Sequence, residues 1–137
     1  MTADTPIIRI AAALIHDEAG RVLLVRKRGS RKFMQPGGKL DPGETPTAAL
    51  VRELAEELGL RVDQAALKPL GHFSAPAANE PGHVIEADIF ELPVHRQIAA
   101  AAEIEEAVWV TLDEAMVLDL ATLSREHVLP LLSVERS

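Results

Sequence analysis

Residues 34 to 44, MQPGGKLDPGE, place two prolines and three glycines in eleven positions, whereas RELAEELG, Arg52 to Gly59, holds no helix breaker before its final glycine. Prolines remove amide donors and glycines reach backbone angles closed to other residues, so the first stretch reads as a shaped loop, too broken for helix or strand. The next segment, Thr45 to Leu58, is the clearest helix in the chain. Glu44 or Thr45 can supply an N-terminal oxygen, Pro46 suits the first turn, and Gly59 can take the left-handed position that ends a helix. Leu50, Val51, Leu54 and Leu58 fall on one side at helical spacing, and Glu53, Glu56 and Glu57 form an arc beside them. Like charges three and four residues apart repel by a few tenths of a kcal/mol per pair. Such an arc is either a solvated face or a place for a cation, and the glycine-rich loop just upstream, with backbone groups free to meet phosphate or an ion, favours the second reading.

Around this loop and helix the chain alternates irregularly. Residues 7 to 15 and 21 to 26 are rich in Ile, Val and Leu and flank the polar turn HDEAGR, which predicts a β-hairpin. Residues 67 to 74, 84 to 92 and 107 to 111 predict further strands. Thr111 to Glu114 carries the Ser/Thr-x-x-Glu signature of a helix start, and a last helix is expected from about Ser124 to Leu132, disturbed by Pro130. The expected architecture is α/β, a mixed sheet covered by helices on both sides, in one domain spanning 1–137.

Composition narrows the functional classes. With no cysteine among 137 residues, a disulfide framework, a thiolate zinc site and a cysteine nucleophile are all excluded. The net charge of −7 argues against a nucleic acid polymer as partner. IIRIAAALI carries Arg9 and is too short to span a bilayer, so it reads as a buried strand, with no membrane association and a cytoplasmic location expected. One local exception stands out: RKRGSRK, Arg26 to Lys32, holds five cations in seven positions and Lys39 lies beyond it, either a rim for a small polyanion or a solvated hairpin loop. His16, His72, His83, His95 and His127 are scattered without ligand spacing, and Trp109 reads as core.

Gly38, Glu44 and RELAEELGL, Arg52 to Leu60, fill every fixed position of the pattern G-x5-E-x7-R-E-U-x-E-E-x-G-U, where U is a bulky aliphatic residue. On these 23 residues, and on the hairpin before them and EIEEAVWVTLDEA after them, the chain resembles the Nudix hydrolases. The resemblance implies a Nudix-type α/β/α sandwich and hydrolysis of a nucleoside diphosphate derivative, a small-molecule partner, by a monomer or homodimer. It also implies Mg²⁺, with Mn²⁺ as a substitute, on Glu53, Glu56 and Glu57; oxygen-only ligands suit these ions better than zinc. The carbonyl of Gly37 would complete the shell, with Glu103 as a further carboxylate from a facing loop. Glu53 is the first candidate to accept the proton of the attacking water and Glu103 the second. Arg52 reads as the cation that orients the carboxylates, and Glu44 as a brace of loop and helix or a contact to metal through water. Gly38 and Lys39 are placed at the substrate phosphates, and Phe33 is a candidate to stack on a base, with core packing as its other reading.

Substrate choice is carried outside the motif. Short length resembles the MutT-like branch that converts nucleoside triphosphates to monophosphate and pyrophosphate. Pro76, sixteen residues beyond the motif, resembles a proline of ADP-ribose-cleaving members, although Ala75 and Ala77 flank it where Ser and Gly are usual. The absence of tyrosine departs from the diadenosine polyphosphate hydrolases. A non-catalytic nucleotide-binding module would be expected to lose a motif carboxylate, and none is missing.

Overall fold

The computed structural model describes residues 6–94, 98 and 100–131. Seven strands form one mixed sheet: β1 Ile7–His16, β2 Val22–Lys27, β3 Phe33–Met34, β4 Gly37–Lys39, β5 Lys68–Pro76, β6 Val84–Pro93 and β7 Ile104–Val110. The helices are α1, Pro46–Leu58, α2, Leu112–Met116, and a third helix, α3, over 122–131.

β1 is the centre. Along one edge it pairs in parallel with β6, from Ile7 opposite Val84 to His16 opposite Pro93, and β5 continues antiparallel beyond β6. The predicted hairpin forms only at its tip, where His16 faces Val22 and Asp17 closes the turn through its backbone and carboxylate. Beyond the tip β1 and β2 part. The chain from 33 to 39 fills the opening, β3 pairing with β2 and β4 with β1, while β7 lines the far edge of β2. The glycine-rich segment is therefore not wholly irregular as expected from its composition. Gly37 and Gly38 sit at strand positions because bare backbone is what fits: a Cβ on Gly37 would stand 2.2 Å from the Ala11 carbonyl oxygen.

Both faces of the sheet are covered, the expected α/β/α arrangement. Alternate residues of β1 and β2 point to opposite sides, as the period of a strand requires. Ala11, Ala13, Ile15, Leu23 and Val25 meet Leu50, Leu54 and Leu58 of α1. Ala12, Leu14, Val22 and Leu24 meet Ala115, Leu120, Leu123, Val128 and Leu129 from the α2 and α3 side. Burial on both faces explains why these strands read as continuous apolar runs. The predicted capping box at Thr111 and Glu114 forms in full. In α3 the middle, Ser124–Val128, is a π-helix lying just before Pro130, whose ring clashes with the carbonyl four residues earlier and whose missing N–H breaks the ordinary ladder. The predicted end of that helix, Leu132, lies outside the described residues, as does His95.

Candidate active site

α1 is started by Thr45, whose hydroxyl accepts from the Ala48 amide at 3.2 Å, and is ended by Gly59 at φ +63°. It crosses β4 and β1 so that its acidic arc lies along the glycine strand. Arg52 is the hub of this arc. Its guanidinium makes a two-pronged contact with Glu44, 2.9 Å on each oxygen, and donates to Glu53 at 3.0 Å, to Glu56 at 3.1 Å and to the Lys39 carbonyl at 3.0 Å. The Arg52 contact, aided by the Asp41 amide, holds Glu44 down at about 2. Those bonds in turn push the Arg52 guanidinium further up, led by the one to Glu44. Through these bonds Glu44 joins the loop at Asp41 to Arg52 of the helix.

Glu53 and Glu57 face inward. A Cβ on Gly38 would fall 2.4 Å from the Glu53 carboxyl carbon, so that glycine is what lets the carboxylate lie against the strand. Burial raises the Glu53 carboxyl above its usual range, the neighbouring Glu56 adds to this, and Arg52 opposes it. Glu57 is only 2% exposed. One oxygen accepts from the Gly37 amide at 3.2 Å and the other, Oε2, has no partner. Burial first, then the charge of Glu53, pushes Glu57 up to about 8. Glu56 is half-exposed and held by Arg52.

Glu103, just before β7, pairs with Lys27 at 3.4 Å, and its charge is felt by Glu57. Lys27 lies at the end of β2, and its positive charge pulls Glu53 and Glu57 down. Lys27 was not singled out by sequence reasoning. Its place in the basic run was the signal, and like its neighbours it is paired: Arg26 with Glu106, Arg28 with Glu105 and Lys32 with Asp119, so much of the run's positive charge is neutralised. Lys39 reaches across to Glu80 at 3.2 Å.

On the other side of the glycine strand from α1, with none of the motif carboxylates in its lining, opens a cleft walled by Gly37, Gly38 and Lys39 of β4, by Pro76 at the end of β5 and by Ala77 to Glu80 beyond it. Met34 and Gln35 line it, whereas Phe33 does not: its ring packs in the core on the α3 side with Arg26 over it at 5.9 Å. Trp109 packs against the α1-side core, as expected. Among the described histidines, His16 pairs with Glu91, His72 with Asp88 and Glu86, and His127 stacks on Phe73.

Among the described residues no group of three or more Asp, Glu, His or Cys side chains is disposed to hold an ion as it stands. Arg52 draws Glu53 and Glu56 onto itself. The donor set nevertheless fits a hard divalent cation, because Glu57 is buried with an oxygen left unpaired, a state that native interiors rarely keep without a ligand.

A mixed sheet between helices, with a glycine strand running into a carboxylate helix, is the architecture of the NUDIX domain. Residues 6–132 match that domain, and the chain belongs to the family. The chain is 42% identical over 77 residues to the 8-oxo-dGTP diphosphatase of Haemophilus influenzae, a match covering 53% of this chain and 57% of that protein, so it spans little more than half of that relative. Over 121 residues, 83% of either chain, it is 31% identical to the CTP pyrophosphohydrolase of Escherichia coli. Its fold superposes on the MutT protein from Methanosarcina mazei with a TM-score of 0.81, at 25% identity and 99% coverage of both chains.

Proposed function

We propose that this chain, acting as one domain, is a divalent-cation-dependent pyrophosphohydrolase that converts a nucleoside triphosphate to monophosphate and pyrophosphate. The observation that carries this reading is the buried, half-unpaired Glu57 beside Glu53 on the glycine strand. The relatives named for action on 8-oxo-dGTP and CTP support a nucleotide substrate.

Glu53, Glu56 and Glu57, with the Gly37 carbonyl and Glu103, would hold Mg²⁺ or Mn²⁺. When bound, the cation supplies acidification of a water and neutralisation of phosphate charge. The chain does the rest. Glu53, raised by burial and steadied by Arg52, accepts the proton of the attacking water, because a carboxylate nearer neutrality is the better base. Glu103 is the second candidate for that role. Lys39 and Lys27 flank the cleft and meet the phosphate oxygens as point charges. Arg52 orients the carboxylates and takes no part in the bond changes.

A substrate panel with Mg²⁺ or Mn²⁺, covering ordinary and oxidised nucleoside triphosphates, ADP-ribose, nucleotide sugars and dinucleoside polyphosphates, tests this by product identity. Glu53→Gln and Glu57→Gln are expected to lower turnover by about 100-fold or more. Turnover within a few-fold of the parent would overturn the assignment. Pro76 on the cleft wall favours one second reading, an ADP-ribose pyrophosphatase, which the same panel separates. Tight nucleotide binding with no turnover would identify a binding module.

A further inference from the structure

The cleft has an apolar wall, formed by Ile8, Ile10, Met34, Ile85 and Leu123, and it carries one polar device. Gln35 and Ser124 both line the cleft, 5% and 0% exposed. Ser124 opens the π-helical turn of α3, and its hydroxyl donates to Gln35 Oε1 at 2.5 Å. The amide thus presents its oxygen to Ser124, which leaves its nitrogen to find another partner. Gln35 Nε2 is left buried with no acceptor. Buried amide donors are nearly always paired, and one that lines a cleft calls for an acceptor from whatever fills it.

We propose that Gln35 determines base specificity: its Nε2 donates to an exocyclic carbonyl oxygen of a nucleobase lodged against the apolar wall of the cleft, and Ser124 is a positioning residue that fixes the amide's orientation. Flat apolar walls with a single donor suit an aromatic heterocycle better than a sugar, which would bring several hydroxyls. Gln35 stands three residues before Gly38 and lines the same cleft, so base and phosphate of one nucleotide fall to neighbouring stretches of chain. The inference rests on the reading that the substrate is a nucleotide.

The test is calorimetric titration of the parent, Gln35→Leu, Gln35→Glu and Ser124→Ala with the 5′-monophosphates of guanosine, uridine, cytidine, adenosine and unsubstituted purine riboside, in chelator. The parent is expected to bind a carbonyl-bearing nucleotide roughly tenfold or more tighter than the purine riboside compound. Gln35→Leu should erase that preference and leave the purine riboside affinity within about twofold, whereas Gln35→Glu should turn it toward amino-bearing bases. Ser124→Ala should blunt the preference without reversing it. In the parent the Gln35 side-chain amide resonances should move on adding the preferred nucleotide, a readout that holds even if a variant fails to fold. Equal affinities in the parent, a uniform loss across all bases in Gln35→Leu, or no nucleoside monophosphate bound at all would overturn the proposal. Base-selective binding with no phosphoanhydride cleaved would sink the hydrolase reading alone, and cleavage indifferent to the base would sink this one alone.

Discussion

Glu57→Gln separates the electrostatics of the site from its chemistry. In the folded chain Glu57 is pushed up to about 8 from an ordinary 4.5. Because the folded value is the higher one, folding is unpenalised below about pH 4.5, and stability is lost as pH rises toward the folded value. Between about pH 4.5 and about pH 7 this one group removes about 3 kcal/mol. Glutamine does not titrate, and its oxygen can still accept from the Gly37 amide. Whatever fixed cost the new amide nitrogen carries, the difference in unfolding free energy between variant and parent should therefore shift in favour of the variant by about 3 kcal/mol over that range. Urea denaturation at several pH values in chelator measures it. A difference that does not change with pH would refute the reasoning. Adding Mg²⁺ or Mn²⁺ at about a hundredfold over its dissociation constant should stabilise the parent by about 2.7 kcal/mol and the variant by much less.

Three further outcomes are expected. Arg52→Lys keeps the charge but cannot reproduce the two-pronged contact with Glu44, and urea denaturation should show a loss of about 1–3 kcal/mol. Gly37→Ala drives a methyl into the β1 backbone at φ +152°, and its melting point should reveal a loss of about 3 kcal/mol or more, if the protein folds at all. Glu44, held at about 2, supports the fold at pH values above 4.5 and ceases to do so as pH falls toward 2. Acid denaturation of Glu44→Gln should accordingly lack part of the parent's dependence on pH in that window.

The helix with its caps, the acidic arc and the two-sided burial of the first strands were legible in the sequence because each is written in local spacing. The filling of the β1–β2 opening was not, since it depends on the fit of bare backbone, Gly37 against Ala11 and Ala12 and Gly38 against Glu53, which no periodicity encodes. Phe33 was ambiguous because an aromatic residue before a glycine loop can point either way, and its backbone pairing with Asp119 and Ala121 turns the ring into the core. Gln35 and Lys27 passed unnoticed for a related reason. Their significance lies in partners 89 positions away for Gln35, and across the sheet from β2 for Lys27.

The parallel pairing of β1 with β6 sets a kinetic order on the site. The glycine strand and acidic helix span residues 37 to 57, which meet across short loops, whereas the apolar wall of the cleft needs Ile8 and Ile10 beside Ile85, and Glu103 and Ser124 come later still. Loop closure over such distances slows folding, and non-local pairing of this kind is typical of chains that fold in milliseconds or longer. A nascent chain that has emerged only as far as α1 carries its acidic helix with no second wall to enclose a ligand.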